Sequence, residues 1–323
     1  MPSTVHQFYA MASDCAVHLW GETAEHLELF AAGAEAEVRR IETRYSRYRD
    51  DSELSLINRT ADGRAVTVSD PMLSVLRAAT EVSARSGGAF DVTVGPLVRL
   101  WGFHEKKPHV PTPAELEKVR PLVSYENLVI DEASHTVRFR RSGVEIDLGG
   151  IAKGFAVELA ANVLRNHGLS GFVDAGGNQY MLGLPPGKAY WTVGIKDPDF
   201  PEKLLGVLEV GEGSLSTSAQ YANFLTTGTR RYGHILDPRT LQPSESALSV
   251  TIISRDGTLA DALSKVGFIL GPEKGLKVIE SFPGTTAIIA YRKPDGSVGL
   301  AQSPGLAGRF HPVPSPAASP GHP

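Results

Sequence analysis

The chain is predicted to be α+β, with antiparallel or mixed sheets and segregated helices, and two observations predict it. Short β-branched runs separated by Gly, Pro and Asp turns fill residues 123–148, 171–210 and 248–254, as antiparallel strands do. Amphipathic helical stripes lie in blocks of their own instead of alternating with single strands, which argues against a doubly wound parallel sheet. No internal repeat of fixed period is present.

Residues 10–20 read as a strand. Leu27, Phe30, Ala34, Val38, Ile41, Tyr45 and Tyr48 then recur at steps of three and four, which predicts a long surface helix. Asp50-Asp51-Ser52 is a plain helix-capping sequence. A further helix over residues 71–86 starts after Ser69-Asp70-Pro71, a cap followed by proline in the first turn, and stops at Gly87-Gly88. Residues 258–270 form a late helix before Gly271-Pro272, with Thr258 and Asp261 spaced as a capping box, and a strand follows near residues 286–291. Prolines 304, 312, 314, 316, 320 and 323 mark residues 303–323 as a disordered tail, leaving residues 1–302 as the folded domain.

Composition excludes several classes. A hydrophobic content of 41% supports a substantial core, while a formal charge of −4 leaves no broad basic surface for nucleic acid or an anionic membrane. Cys15 is the single cysteine, so an internal disulfide and a Cys-rich metal site are ruled out; its apolar setting suggests a buried thiol. Neither a basic, apolar leader nor a run of 18 apolar residues occurs, and a cytoplasmic location is expected. A G-x-G-x-x-G dinucleotide fingerprint is absent, and Pro186-Gly187-Lys188-Ala189 is not a P-loop.

The densest chemical signal is residues 144–154. An apolar run, expected to be a strand, leads through Gly149-Gly150 directly into a helix whose apolar side is Ala156, Leu159, Ala160, Val163 and Leu164, with Gly168 as its C-terminal cap. Unpaired N–H groups and the positive dipole end at such a turn favour a phosphate, and Lys153 adds a full charge, although glycine is also ordinary in a strand-to-helix turn.

Four more segments carry more glycine, aromatic and polar residues than structure needs. They are residues 46–58, beginning Ser46-Arg47-Tyr48; Gly88-Ala89-Phe90-Asp91 with Leu100-Trp101-Gly102-Phe103; Tyr232-Gly233-His234-Ile235-Leu236-Asp237-Pro238; and Ala260-Asp261-Ala262-Leu263-Ser264. With the Asp147 turn, and in this order, they resemble the ApbE family of FAD:protein FMN transferases from residue 11 to about residue 271.

The resemblance implies an enzyme that breaks the pyrophosphate of FAD, joins FMN to a threonine hydroxyl of an acceptor protein and releases AMP, using magnesium. It implies His234 as the base, and histidine suits that task because its ordinary pKa lies near neutrality. It also implies FAD contacts from Met11, Tyr48, Ala89, Phe90, Asp91, Asp147, Lys153 and Ile235, although aromatic residues and methionine are more often core. Metal ligation is implied at Gly150 and Asp261, helped by Ser264. The sequence departs from the family at Lys265, where threonine is usual and where an ammonium one helical turn from Asp261 can take the cation's place. Lesser departures are Ser216-Thr217-Ser218-Ala219-Gln220-Tyr221 and Leu241. Two alternatives stand beside transfer: an FAD pyrophosphatase, and a non-catalytic flavin-binding protein in which Lys265 has displaced the metal. FAD and an acceptor protein are the expected partners, acting in trans, with a homodimer among the open options.

Overall fold

The computed structural model describes residues 1–21, 23–103, 109–165, 167–219, 224–227 and 230–313. Its frame is one antiparallel sheet of eight strands: β1 (Ser3–Ala10), β2 (Ser13–Trp20), β3 (Ser170–Ala175), β4 (Asn178–Leu182), β5 (Gly213–Ala219), β6 (Ser249–Ser254), β7 (Thr286–Arg292) and β8 (Val298–Gln302). Spatial order in this sheet is chain order, so the rest of the chain is a set of excursions between neighbouring strands. The helices among the described residues are α1 (Ala24–Tyr45), α2 (Glu53–Thr60), α3 (Asp70–Arg85), α4 (Gly95–Leu100), α5 (Pro113–Val119), α6 (Ala152–Arg165) and α7 (Gly257–Glu280).

Alternation along the strands decides the layers. Cys15, Val17 and Leu19 of β2 and Val173 and Ala175 of β3 are buried with Leu27, Ala31, Ala34 and Val38 of α1 and Val157, Ala160, Ala161 and Leu164 of α6. On the opposite face Met181, Leu215 and Ile288 meet Trp191, Leu208, Leu306 and Phe310. That second layer is a small sheet of strands Trp191–Lys196, Leu204–Val210 and Phe310–Pro312. Burial pushes the Cys15 thiol above its ordinary pKa, in keeping with a packing role.

Helices α6 and α7 cross at backbone contact. A Cβ added to Gly154 would lie 2.0 Å from the Gly257 carbonyl oxygen and 2.6 Å from Asp261 Cβ. The two helices run antiparallel, and together with the turn that leads into α6 they make contacts at three levels, four residues apart. Glu158 accepts from the Gly257 N–H at 2.9 Å. Asp261 Oδ2 accepts from the Gly154 N–H at 2.9 Å. A Cβ on Gly150 would stand 3.8 Å from Lys265 Cε.

The expected helices are present, with corrected limits. Ser52 and Ser69 cap α2 and α3 through their hydroxyls. Tyr48 lies beyond the end of α1 and is 72% exposed, so it continues the helical period without sharing the buried stripe. Helix α7 is capped by Asp256, not by Thr258, and runs on to Glu280 through a break at Gly271 (φ 74°). Residues 144–148 belong to no strand: their backbone is held by single bonds, from Gly95 N–H to Glu145 O and from Asp147 N–H to Val92 O, and by both amide atoms of Asn58 on Ile146. The expected strand at residues 10–20 is half of a hairpin with β1. The tail boundary at residue 303 is also corrected. Leu306 and Phe310 are buried, and Phe310–Pro312 pairs with Leu204–Val210; residues 314–323 lie outside those described.

The crossing predicts the cost of one methyl group. Gly154→Ala should lower stability by about 3 kcal/mol or more, since neither backbone can yield without moving a helix. Chemical denaturation measures this, and parental stability would show that the helices do not touch there.

Candidate functional site

Several of the singled-out residues gather at one end of the large sheet. Two hairpin turns lie there, Met11–Ala12 between β1 and β2 and Gly176–Gly177 between β3 and β4, brought side by side by the pairing of Cys15 with Ala175. All four turn residues have positive φ, the geometry that fits two-residue hairpins to the twist of their strands. Gly176 must be glycine on a second ground, because a Cβ would meet Ser13 Cβ at 2.7 Å; Lys153 Cδ is 4.0 Å from the same point. Met11 (φ 51°) and Ala12 (φ 56°) hold this conformation without that freedom. Glu42 of α1 helps to fix them by accepting the Met11 N–H at 2.7 Å.

The Asp147 turn is more fully committed than its sequence implies. Arg47 pairs with Asp147 Oδ2, both side chains being largely buried. Asp147 Oδ1 accepts the Gly149 N–H at 2.8 Å. The Ala152 N–H is taken by the Leu148 carbonyl and the Gly154 N–H by Asp261. A carboxylate from α7 therefore already sits on the α6 N-terminus that the sequence offers to an anion, and the charge left for a ligand comes from lysine.

Lys265 and Asp261 form an ion pair in which Asp261 is fully buried and the lysine side chain is 19% exposed. Burial pushes the lysine pKa below its ordinary value, Lys153 adds repulsion, and Asp261 opposes both. Ser264 does not turn toward the pair's free side: its hydroxyl donates to the Asp261 carbonyl at 2.7 Å and lies 2.7 Å from Ser218 Oγ. The four residues expected at the metal, Gly150, Asp261, Ser264 and Lys265, are thus close together. As arranged they do not fit a divalent ion, because both oxygens of the one carboxylate are bonded within the protein and the nearest charge is an ammonium. Among the described residues no group of three His, Cys, Asp or Glu side chains could hold a metal.

Phe90 forms one wall, with its Cε2 3.2 Å from the Cβ position of Gly150. Ala89, Phe90 and Ile235 are buried members of the large apolar cluster. Asp91 faces inward: Oδ1 accepts from the Thr93 N–H and hydroxyl, both at 2.7 Å, and burial pushes its pKa up. What that carboxylate does here is cap a short turn. His234 is half-buried and precedes a small hairpin, Leu236–Asp237 with Gln242–Pro243, in which Arg239 holds Asp237 at 2.7 Å. Arg239 Cγ packs 3.8 Å from the Cβ position of Gly88, and Tyr232 meets the Trp101 ring at 5.4 Å, so the segment carrying His234 is fastened to the loop carrying Phe90. Tyr48 presents an exposed ring with the Arg47 guanidinium 5.9 Å from its centre. Gln220 and Tyr221 lie outside the described residues.

Sequence reasoning passed over Glu42 and Asp174. Asp174 accepts from Gln179 and from the Gly177 N–H, and burial pushes its pKa up. A carboxylate in a strand otherwise rich in apolar residues, two before a Gly-Gly turn, was the available signal for Asp174; Glu42 carries none.

Comparison with known proteins gives one consistent result. The profile of the ApbE family matches residues 11–289. An FAD:protein FMN transferase of Treponema pallidum is 35% identical over 259 residues, 75% of this chain and 72% of the relative. The Vibrio cholerae protein of the same name is 34% identical over 246 residues, 75% and 73% of the two chains. The crystal structure of the ApbE protein of Thermotoga maritima matches with a TM-score of 0.85 at 31% identity, over 93% of this chain and 97% of its own.

The strained turn makes a prediction of its own. Ala12 is exposed, so Ala12→Gly should relieve its conformation and raise stability by up to about 1 kcal/mol in thermal or chemical denaturation. Lowered stability would show that the turn carries no strain.

Proposed function

The chain belongs to the ApbE family, and from that premise we propose that it is an FAD:protein FMN transferase, moving FMN from FAD to a threonine hydroxyl of an acceptor protein and releasing AMP. The observation that carries this reading is the packing of Lys265 and Phe90 against Gly150 of the Gly149-Gly150 turn, with Lys153 three residues further on beside Gly176. A site for FAD needs that combination, cationic where the pyrophosphate lies and aromatic or apolar where the ring system lies. Met11, Tyr48, Ala89, Phe90 and Ile235 supply the apolar side. Asp91 and Asp147 shape it by holding loops.

In the reaction, the hydroxyl oxygen of the acceptor threonine attacks the phosphorus on the FMN side of the pyrophosphate. A new P–O bond forms, the bridging P–O bond breaks, and AMP leaves with the bridging oxygen and its electron pair. His234 takes the hydroxyl proton as attack proceeds. Lys153 and Lys265 stabilise charge gathering on the phosphate oxygens, and a rigid turn holding the phosphorus in line lowers the entropic part of the barrier. The donor set around Asp261 does not fit magnesium, because both carboxylate oxygens are already bonded to the Gly154 N–H and to Lys265. With water in place of threonine the same steps give FMN and AMP, the pyrophosphatase outcome.

Incubation with FAD and a threonine-containing acceptor should attach FMN, seen as a mass increase, with equimolar AMP. AMP and free FMN without any acceptor adduct would make the protein a hydrolase; bound FAD without AMP would make it a carrier. His234→Ala should slow transfer by about 10²-fold or more while FAD affinity changes little. Transfer at the parental rate would remove His234 from the reaction. Lys153→Ala and Asp147→Ala should each weaken FAD binding about tenfold, through lost charge and a loosened turn respectively. Unchanged affinity in both would displace the pyrophosphate from the Gly149-Gly150 turn.

A further inference from the structure

We infer that Lys265 is the resident cation of this site, so that the pyrophosphate of FAD is held by Lys265, Lys153 and the glycine turn without a divalent metal. The inference rests on the flavin-transferase reading and specifies how its substrate is bound.

The geometry carries it in three parts. First, the Lys265 side chain fills the space beside the turn: its Cε and Cδ lie 3.8 and 3.9 Å from the Cβ position of Gly150. Second, Asp261 is fully buried and already shared between that ammonium and the Gly154 N–H. A divalent ion taking this carboxylate would leave the ammonium stranded beside it, two cations facing one anion in a poorly hydrated place. Third, the Ser264 hydroxyl is closed off, because its Oγ is bonded to the Asp261 carbonyl and to Ser218. An ammonium so placed can still swing its Nζ toward a phosphate oxygen while its methylenes stay against Gly150.

The test is binding, with no turnover required. FAD is titrated by fluorescence into purified protein in EDTA and in millimolar magnesium chloride, and magnesium chloride alone is titrated into the free protein by calorimetry. FAD affinity should agree within about twofold between the two conditions, and the magnesium titration should be flat at millimolar concentration. Lys265→Met should weaken FAD binding about tenfold or more in EDTA. Lys265→Thr should bind as weakly in EDTA and recover with magnesium. Magnesium tightening FAD binding about tenfold in the parental protein overturns the inference, as does Lys265→Met binding FAD like the parent. The parental titrations decide even if a variant fails to fold. FAD binding that requires magnesium sinks this inference alone and leaves the transferase reading in place; no FAD binding in either condition sinks both.

Discussion

The contact between Gly154 and Gly257 is the constraint on which the site depends. With no side chain at either position, two helix backbones approach to a separation that no Cβ survives. That approach lets a carboxylate from α7 reach the first turn of α6, and it carries Lys265 to the glycine turn one level further on. A wider crossing would leave the α6 terminus to water and Asp261 buried without its N–H partner, a loss worth about 1–3 kcal/mol even before any ligand is considered.

Closeness of the helices also explains an otherwise odd strand. Ser214, Ser216 and Ser218 of β5 alternate onto its helix-facing side, where larger apolar residues would be expected, and all are buried. Small side chains leave room for the helix layer, and each hydroxyl has a partner: the Gln179 carbonyl, the Asn178 amide oxygen and Ser264. A satisfied hydroxyl costs little in a core, whereas an isoleucine there would push the helices off the sheet.

What could be read from the sequence divides along physical lines. Helical stripes, serine caps and glycine stops are local signals, and α1 and α3 stand close to where they were expected, while Ser52 caps α2 as its sequence suggests. The site's turn and the helix after it were legible for the same reason. Residues 144–148 misled because an apolar run has the same composition whether it sits in a ladder or is pinned by Asn58 and two loops. Met11–Ala12 gave no sign of a turn because neither residue favours positive φ; tertiary bonding to Glu42 overrides the local preference. Leu306 and Phe310 were lost among prolines, whose frequency suggested a tail although two apolar anchors suffice to fasten a short edge strand. Partners such as Arg47 with Asp147, 100 positions apart, follow from the fold alone.

The paired helices act as a ruler. Contacts recur at 158 with 257, 154 with 261 and 150 with 265, four residues per step on both segments. A helix turns by about 100° per residue, so inserting or deleting one position between the first and last of these would rotate one set of contacts away from the other. Exchanging a side chain at the last rung leaves the spacing untouched. The length between these rungs is therefore constrained in a way that the identity of residue 265 is not, and a substitution there changes the charge beside the glycine turn while the crossing of the helices stays as it is.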